Sequence, residues 1–229
     1  MKEVSSLNIL IHSMKVHDIS KSNSILNTFI AEIRDKNIQQ DRMRFRRNIE
    51  RIGEVLAYEM SKSFDYSTHS IVTPLGNKPT FIIKDDLVIC SILRAGIPLH
   101  SGFLNYFDNA ENAFISAYRK HTSADDFEIV VEYLAAPSLE GKTLVLVDPM
   151  LATGQSMMAV YKSLLKLGTP KNIHIAAVIG AKQGVDFITT AFPEETTLWI
   201  ATVDEKLNEK GYIVPGLGDA GDLAFGSKL

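Results

Sequence analysis

The sequence has a single cysteine, Cys90. An intrachain disulfide is excluded, and so is a zinc site built on a cysteine cluster. Cys90 lies in the run Leu-Val-Ile-Cys-Ser-Ile-Leu, which predicts a buried thiol and not a nucleophile. No apolar run reaches the length of a membrane span. The opening Met-Lys-Glu-Val-Ser-Ser lacks the continuous apolar region of a signal peptide, so a cytoplasmic protein is expected. Neither sign of charge dominates: 24 Lys and Arg stand against 27 Asp and Glu. Any strongly anionic ligand must therefore be met by local basic residues and not by a global field. The six histidines are scattered, and no His-Cys cluster or oxygen-ligand loop appears, so no metal cage of protein side chains is expected. His12, His17, His69 and His100 read as structural or exposed. Internal repeats and low-complexity linkers are also lacking.

What is present fits one compact unit spanning 1–229, with 45% hydrophobic residues to fill a core. Residues 22–62 contain one glycine, Gly53, and no proline. Leu26, Phe29, Ile30 and Ile33 form one helical stripe, and Phe45, Ile49, Ile52 and Leu56 another. The polar stretch 35–41 separates the two. Residues 64–83 mix β-branched residues with Pro-Leu-Gly-Asn-Lys-Pro, which predicts a hairpin. From there strands at 87–93, 113–118, 143–147, 173–179 and 198–203 alternate with helices at 97–107, 155–167 and 184–190. That alternation predicts an α/β fold with a parallel sheet flanked by helices, whose ligands sit at the carboxyl ends of the strands.

Residues 144–156 read Leu-Val-Leu-Val-Asp-Pro-Met-Leu-Ala-Thr-Gly-Gln-Ser. Four apolar residues suit a strand buried on both faces. Asp148 ends the run, and a short loop with Ala152, Thr153 and Gly154 leads into a helix with Met157, Val160, Tyr161, Leu164 and Leu165 at helical spacing. An acid at a strand end followed by small residues at a helix start suits a phosphorylated sugar. Loop amides and the helix N-terminus favour phosphate, while the carboxylate accepts hydrogen bonds from sugar hydroxyls.

This stretch resembles the 5-phosphoribosyl 1-pyrophosphate (PRPP) motif of type I phosphoribosyltransferases, in the Asp-Pro-Met-Leu-Ala-Thr-Gly form of uracil phosphoribosyltransferases. Residues 207–222, Leu-Asn-Glu-Lys-Gly-Tyr-Ile-Val-Pro-Gly-Leu-Gly-Asp-Ala-Gly-Asp, are similar to that family's uracil-binding signature. Weaker similarity runs from about residue 12 to the end, through Arg-Asp-Lys at 34–36, Tyr58-Glu59 and Ile-Leu-Arg-Ala-Gly at 92–96. The resemblance implies a type I phosphoribosyltransferase-like parallel sheet with a core at about 84–205, a small hood from the N- and C-terminal segments, and a β-hairpin arm. It implies transfer of a phosphoribosyl group from PRPP to uracil, giving UMP and pyrophosphate, with Mg2+ bound through PRPP. It also implies a homo-oligomer, a dimer or higher.

Residue by residue, the resemblance puts Pro149, Met150, Leu151, Ala152, Thr153, Gly154, Gln155 and Ser156 around PRPP, with Asp148 on the ribose hydroxyls. Asp148 would also stabilise the positive charge that builds at C1' as pyrophosphate leaves. Arg94 and Arg119, each read as following a strand, would grip pyrophosphate through their planar forks. Main-chain groups of Ile213, Gly218, Asp219 and Ala220 would read uracil, with Asp219 near the PRPP ribose. The chain departs from the family at Pro149, where many type I members carry a second acid. It departs again at Gln155, where Gly is frequent, at 120–122 (Lys-His-Thr in place of an acidic stretch), at Leu223, where a basic residue is common, and in having Ser227 near the end. Residues 34–51 hold seven basic side chains, interrupted by Asp35, Asp41 and Glu50, with Phe45 the only aromatic. They leave open a pyrimidine-responsive RNA-binding regulator with a retained pocket. The uracil signature and the broken basic segment favour the enzyme, and nucleic acid is not an expected partner.

Overall fold

The computed structural model describes residues 14–121 and 127–228, with backbone alone at 118–121 and 127–129. The stripes predicted at 22–62 form helices α1 (Leu26–Arg34) and α2 (Arg42–Ser61), with Asp41 capping α2 through the amide of Arg44. The predicted hairpin is β2 (Tyr66–Thr73) and β3 (Gly76–Ile83), joined by a two-residue loop at Pro74 and Leu75.

Strands β4 (Leu87–Leu93), β7 (Thr143–Val147), β9 (Asn172–Ala181) and β10 (Thr197–Asp204) run parallel in the order β10-β9-β7-β4. Their near-continuous apolar runs are divided between two cores by the period-2 alternation of a strand. Ile89, Val145, Val147, Ala176 and Val178 face α1, α2 and α3 (Ile97–Leu104), where Phe45, Ile49, Ile52, Leu99 and Phe103 are buried. Val88, Cys90, Leu144, Leu146, Ile175 and Ala177 face the other way, toward Met157, Val160 and Leu164 of α4 (Gln155–Leu164) and Ile188 of α5 (Lys182–Ala191). Each Val, Leu, Ile, Phe or Met among them contributes about 1.5–3 kcal/mol by leaving water. Cys90 is fully buried, and burial pushes its thiol up to about 12, as the absence of a reactive environment predicts.

Several boundaries differ from the predicted ones. The helix expected at 97–107 ends at Leu104, and the one expected at 155–167 tightens to a 3-10 turn after Leu164. The strand expected at 113–118 is β5 (Glu111–His121). It is lengthened by β6 (Phe127–Ala135), an antiparallel edge strand that strand–helix alternation does not anticipate. A connection of five residues is too short for a parallel crossover. The opposite edge is β1 (Lys15–Asp18), parallel to β10. Nor is β10 the last strand: β11 (Lys206–Leu207), β12 (Ile213–Val214) and α6 (Ala220–Phe225) follow. His12 lies outside the described residues. Among those described, no helix is long and apolar enough to cross a membrane.

His174 on β9 is buried, and its Nδ1 accepts a hydrogen bond from Trp199 Nε1 at 3.1 Å. His17 stacks on the same indole at 4.1 Å. Burial pushes the His174 imidazole down to about 4. As pH falls, the unfolded chain takes up this proton first, so the contribution is complete above about 6.5 and is lost between there and 4. Its size is about 3 kcal/mol. Denaturant titrations from pH 7.5 to 4.5 should therefore show a steeper loss of stability for the unaltered protein than for His174→Gln. Parallel pH curves would rule out a neutral buried imidazole.

Candidate active site

At the carboxyl end of β7 the chain does not leave the sheet at once. The amide of Asp148 donates to the Ala176 carbonyl, and the Pro149 carbonyl accepts from the amides of Val178 and Ile179. Met150 and Leu151 then form β8 beside β9. The loop predicted after Asp148 is thus partly a two-residue strand. The Leu151 side chain is core, so Leu151 can offer only main chain to a ligand, while Met150 is partly buried. The free turn is Ala152, Thr153 and Gly154. Gly154 has φ +78°, and a Cβ there would lie 2.7 Å from Phe187 and 2.8 Å from Ile188 of α5. Glycine is needed on both counts. Gln155 opens α4, with its side chain exposed and its amide 3.4 Å from Thr153 Oγ1. No described non-glycine residue has positive φ, so Gln155 sits in its place without backbone strain. The amides opening α4 point to a site for phosphate, flanked by Thr153 and Ser156.

Asp148 is half-buried, and its Oδ1 accepts the Met150 amide at 3.1 Å. Burial outweighs that hydrogen bond and pushes the carboxyl up to about 7. Pro149 beside it removes the second acid. Among the described residues no cluster of three or more His, Cys, Asp or Glu could hold a metal. This donor set suits a cation carried in on a ligand's own oxygens.

Arg94 follows β4 as predicted, after a cis peptide bond from Leu93. Its Nη2 donates to the Gly226 carbonyl at 3.1 Å and approaches Asp222 Oδ1 at 3.4 Å, while its Nε is buried without a partner. That Nε–H is a donor left unpaired among the described residues. Arg119 differs from the prediction. It lies inside β5, opposite Ile129, three residues beyond Ser116, the last residue paired with β4. The strand continues because β6 supplies a hydrogen-bonding partner. Lys120 and His121 extend the same strand, and Thr122 lies outside the described residues.

The base-loop candidates hang from β10. The β11–β12 hairpin turns on Asn208, whose Oδ1 accepts the amides of Lys210 and Tyr212. After the cis Val214–Pro215 bond comes Gly216, with φ +63°. A Cβ at this position would sit 2.1 Å from the Ile213 carbonyl, so only glycine fits the turn. Ile213 and Ala220 are buried, and Gly218 and Asp219 are exposed. Asp219 Oδ1 accepts the Asp222 amide and caps α6. Gly221 faces Ala95, which brings this loop against the Arg94 turn. Leu223 packs on the core, and its Cδ1 would lie 4.0 Å from a Cβ built at Gly218, so it borders the loop. A cavity of about 260 Å³ opens among Gln39, Arg42, Gly218, Asp219, Asp222 and Ser227 and touches none of residues 148–156.

The basic stretch at 34–51 is largely engaged within the chain. Arg44 pairs with Glu32, Arg47 with Glu50, and Arg34 with Asp204. Arg46 donates to the Ala224 carbonyl, and Arg51 lies over the Phe29 ring. Asp204 is absent from the sequence-based expectations, and Arg34 enters them without a role. The one available signal was the Arg-Asp-Lys triplet at 34–36.

A mostly parallel sheet with the Asp148 turn, the Arg94 turn and the glycine loop following its strand ends is the fold of a type I phosphoribosyltransferase. The family model for uracil phosphoribosyltransferase matches residues 20–227, and the chain belongs to that family. It is 53% identical over 216 residues to the uracil phosphoribosyltransferase of Porphyromonas gingivalis, covering 94% of this chain and 100% of that one. With the uracil phosphoribosyltransferase of Thermococcus gammatolerans it is 40% identical over 203 residues, 87% and 88% of the two chains. A solved structure of a protein from Aquifex aeolicus superposes with a TM-score of 0.82 at 30% identity, covering 93% of this chain and 99% of that one.

Proposed function

We propose that this protein transfers the 5-phosphoribosyl group of PRPP to uracil, forming UMP and releasing pyrophosphate. The observation that carries the reading is the approach of two family motifs, the turn after Asp148 and the loop at 213–220, to one edge of the sheet. Residues 152–156 hold the 5-phosphate through the turn amides and the start of α4. Asp148 accepts hydrogen bonds from the ribose hydroxyls. Arg94 and Arg119 take the pyrophosphate. Main-chain groups of Ile213, Gly218, Asp219 and Ala220 read uracil, and Asp219 lies beside the ribose. The C1'–oxygen bond to pyrophosphate breaks as uracil N1 bonds to C1', and the N1 proton is released. The Asp148 carboxylate stabilises the positive charge on the ring between those events. Mg2+, when bound, supplies charge neutralisation of the pyrophosphate, entering on PRPP. The chain works as one domain in the cytoplasm, with the N- and C-terminal segments forming a hood over the core. With so many of the basic residues at 34–51 engaged internally, the RNA-binding reading has no support. Purified protein given uracil, PRPP and Mg2+ should yield UMP and pyrophosphate on a chromatographic assay. No UMP above the enzyme-free control at any magnesium level would overturn the proposal.

The protein works as a homo-oligomer, a dimer or higher, through the arm formed by β2 and β3. Val72, Leu75 and Phe81 on this hairpin are 83%, 100% and 73% exposed. A two-stranded ribbon with its apolar side chains in water is marginal alone, and a second copy supplies cover of matching chemistry. Val72→Asp combined with Phe81→Asp should shift the protein to monomer in sedimentation velocity at micromolar concentration. An unchanged sedimentation coefficient would exclude the arm as the contact.

A further inference from the structure

We propose that Arg34 and Asp204 form a clamp that positions the base-reading loop and thereby sets affinity and selectivity for the pyrimidine without touching it. The inference rests on the reading that Ile213 and Gly218 to Ala220 recognise uracil. Asp204 is the last residue of β10 and Arg34 the last of α1. Their contact is a two-point fork: Nη2 to Oδ1 at 2.7 Å and Nη1 to Oδ2 at 2.9 Å. The pair then grips Gly216 from both sides. Asp204 Oδ2 accepts the Gly216 amide at 2.8 Å, and Arg34 Nη1 donates to the Gly216 carbonyl at 3.1 Å.

Three features make this a positioning device. First, β12 ends at Val214 and α6 begins at Ala220. Among the described residues, the hydrogen bonds reaching 215–218 are the two made to Gly216. The clamp thus supplies the hydrogen bonds that hold the loop midway between Ile213 and Gly218, beside the buried Leu217 side chain. Second, both jaws stand on fixed elements. Gln39 Nε2 donates to the carbonyls of Ile33 and Arg34 and so closes the end of α1, and Ile33 is buried in the core. Asp204 continues a strand paired with β9 as far as Ala181. A side chain held by a rigid support places its partner more narrowly than a loop could alone. Third, the carboxylate is kept charged. Burial opposes the charge, but the Arg34 hydrogen bond, the Gly216 amide and the guanidinium outweigh it and hold the group below its usual range.

Gly216 and Ile213 are close neighbours in this turn, since a Cβ at Gly216 would lie 2.1 Å from the Ile213 carbonyl. A loosened Gly216 therefore moves Ile213 and Gly218 together, the two ends that would read the base. Asp204→Asn turns one acceptor into an N–H2 facing donors. It should raise KM for uracil at least about tenfold. The preference for uracil over cytosine should shrink by a similar factor. KM for PRPP, and kcat at saturating uracil, should stay within about twofold. Arg34→Lys keeps the charge but loses the fork, and should shift uracil KM in the same direction by less.

The measurement is initial-rate kinetics on both variants with uracil and PRPP varied in turn. A smaller folded fraction lowers apparent kcat but leaves each KM where it was, so the split between the two KM values reads the clamp even in a weakened variant. Unchanged uracil KM in Asp204→Asn, or equal rises in both KM values, overturns the clamp. A wild-type protein that makes no UMP overturns the base-reading proposal instead, so the two failures are distinguishable.

Discussion

Asp148→Asn should lower kcat/KM for PRPP at least about tenfold, and the deficit should widen as pH rises. A charge-assisted hydrogen bond to a sugar hydroxyl is worth about 1.5–3 kcal/mol, and transition-state charge adds to that. Each 1.36 kcal/mol or so is a factor of about ten in rate. The pH dependence follows from the ligand-free carboxyl being pushed up to about 7 by burial. Below that value Asp148 is neutral and offers little that Asn lacks. Above it the carboxylate forms and the two proteins diverge. Taking the ratio of wild type to variant cancels the titration of the PRPP phosphates, which is common to both. The ratio of kcat/KM should climb through about pH 7. The corresponding limb in kcat should lie lower, because ribose hydroxyls donating to the carboxylate favour its charged form. A flat ratio near one across pH 5.5 to 8.5 would remove Asp148 from the site.

The same substitution should stabilise the ligand-free protein at high pH. A carboxyl raised on folding binds a proton in the folded state that the unfolded chain has already released. The folded state therefore loses stability as pH rises from about 4 to 7. The ceiling is about 4 kcal/mol at pH 8, reduced because solvent reaches the half-buried group. Thermal melts of Asp148→Asn should exceed wild type at pH 8 and converge toward it at pH 4. A site that holds an uncompensated carboxylate until substrate arrives gives up stability for function.

The parts of this fold legible in the sequence are those written in local period. The run around Cys90 and the run at 144–147 sit in buried parallel strands because covering helices demand apolar residues on both strand faces. Gly154 and Gly216 stand at turns no other residue would fit. Elements whose identity depends on a distant neighbour were not legible. β6 exists as a strand because β5 runs beyond the parallel sheet and needs a partner, and the same extension carries Arg119 past the strand end where alternation places it. β1 is four mostly exposed residues, ordered by its pairing with β10 and the His17–Trp199 stack. Arg34 and Asp204 are 170 residues apart, and no periodicity reports such a pair. Gln155 departs from the family's frequent glycine at no backbone cost, because the left-handed turn falls one residue earlier.

Base choice should prove the property most sensitive to backbone geometry. Uracil presents an N3–H donor between two carbonyl acceptors. Cytosine replaces that donor with a bare nitrogen and O4 with an amino group. Main-chain groups of Ile213 and Gly218 to Ala220 set for uracil would meet cytosine donor to donor and acceptor to acceptor. Each buried mismatch costs about 1–3 kcal/mol. Two of them give a preference for uracil in kcat/KM of about 10²-fold or more. Side chains contribute little to such a site, so Leu223→Ala should leave the preference intact. Gly216→Ala should not. Its methyl group would fall 2.1 Å from the Ile213 carbonyl, and the position has φ +63°. The left-handed backbone alone costs about 1–2 kcal/mol, and relieving the contact must push the Ile213 carbonyl out of place. Uracil kcat/KM should fall by about 10²-fold and the cytosine comparison should flatten, while KM for PRPP changes little because residues 152–156 are untouched and Asp219 stays fixed by its cap on α6. Comparable kcat/KM for the two bases in the unaltered protein would show that this loop does not read the base. A Gly216→Ala variant that keeps the full preference would show that the turn does not set the reading groups.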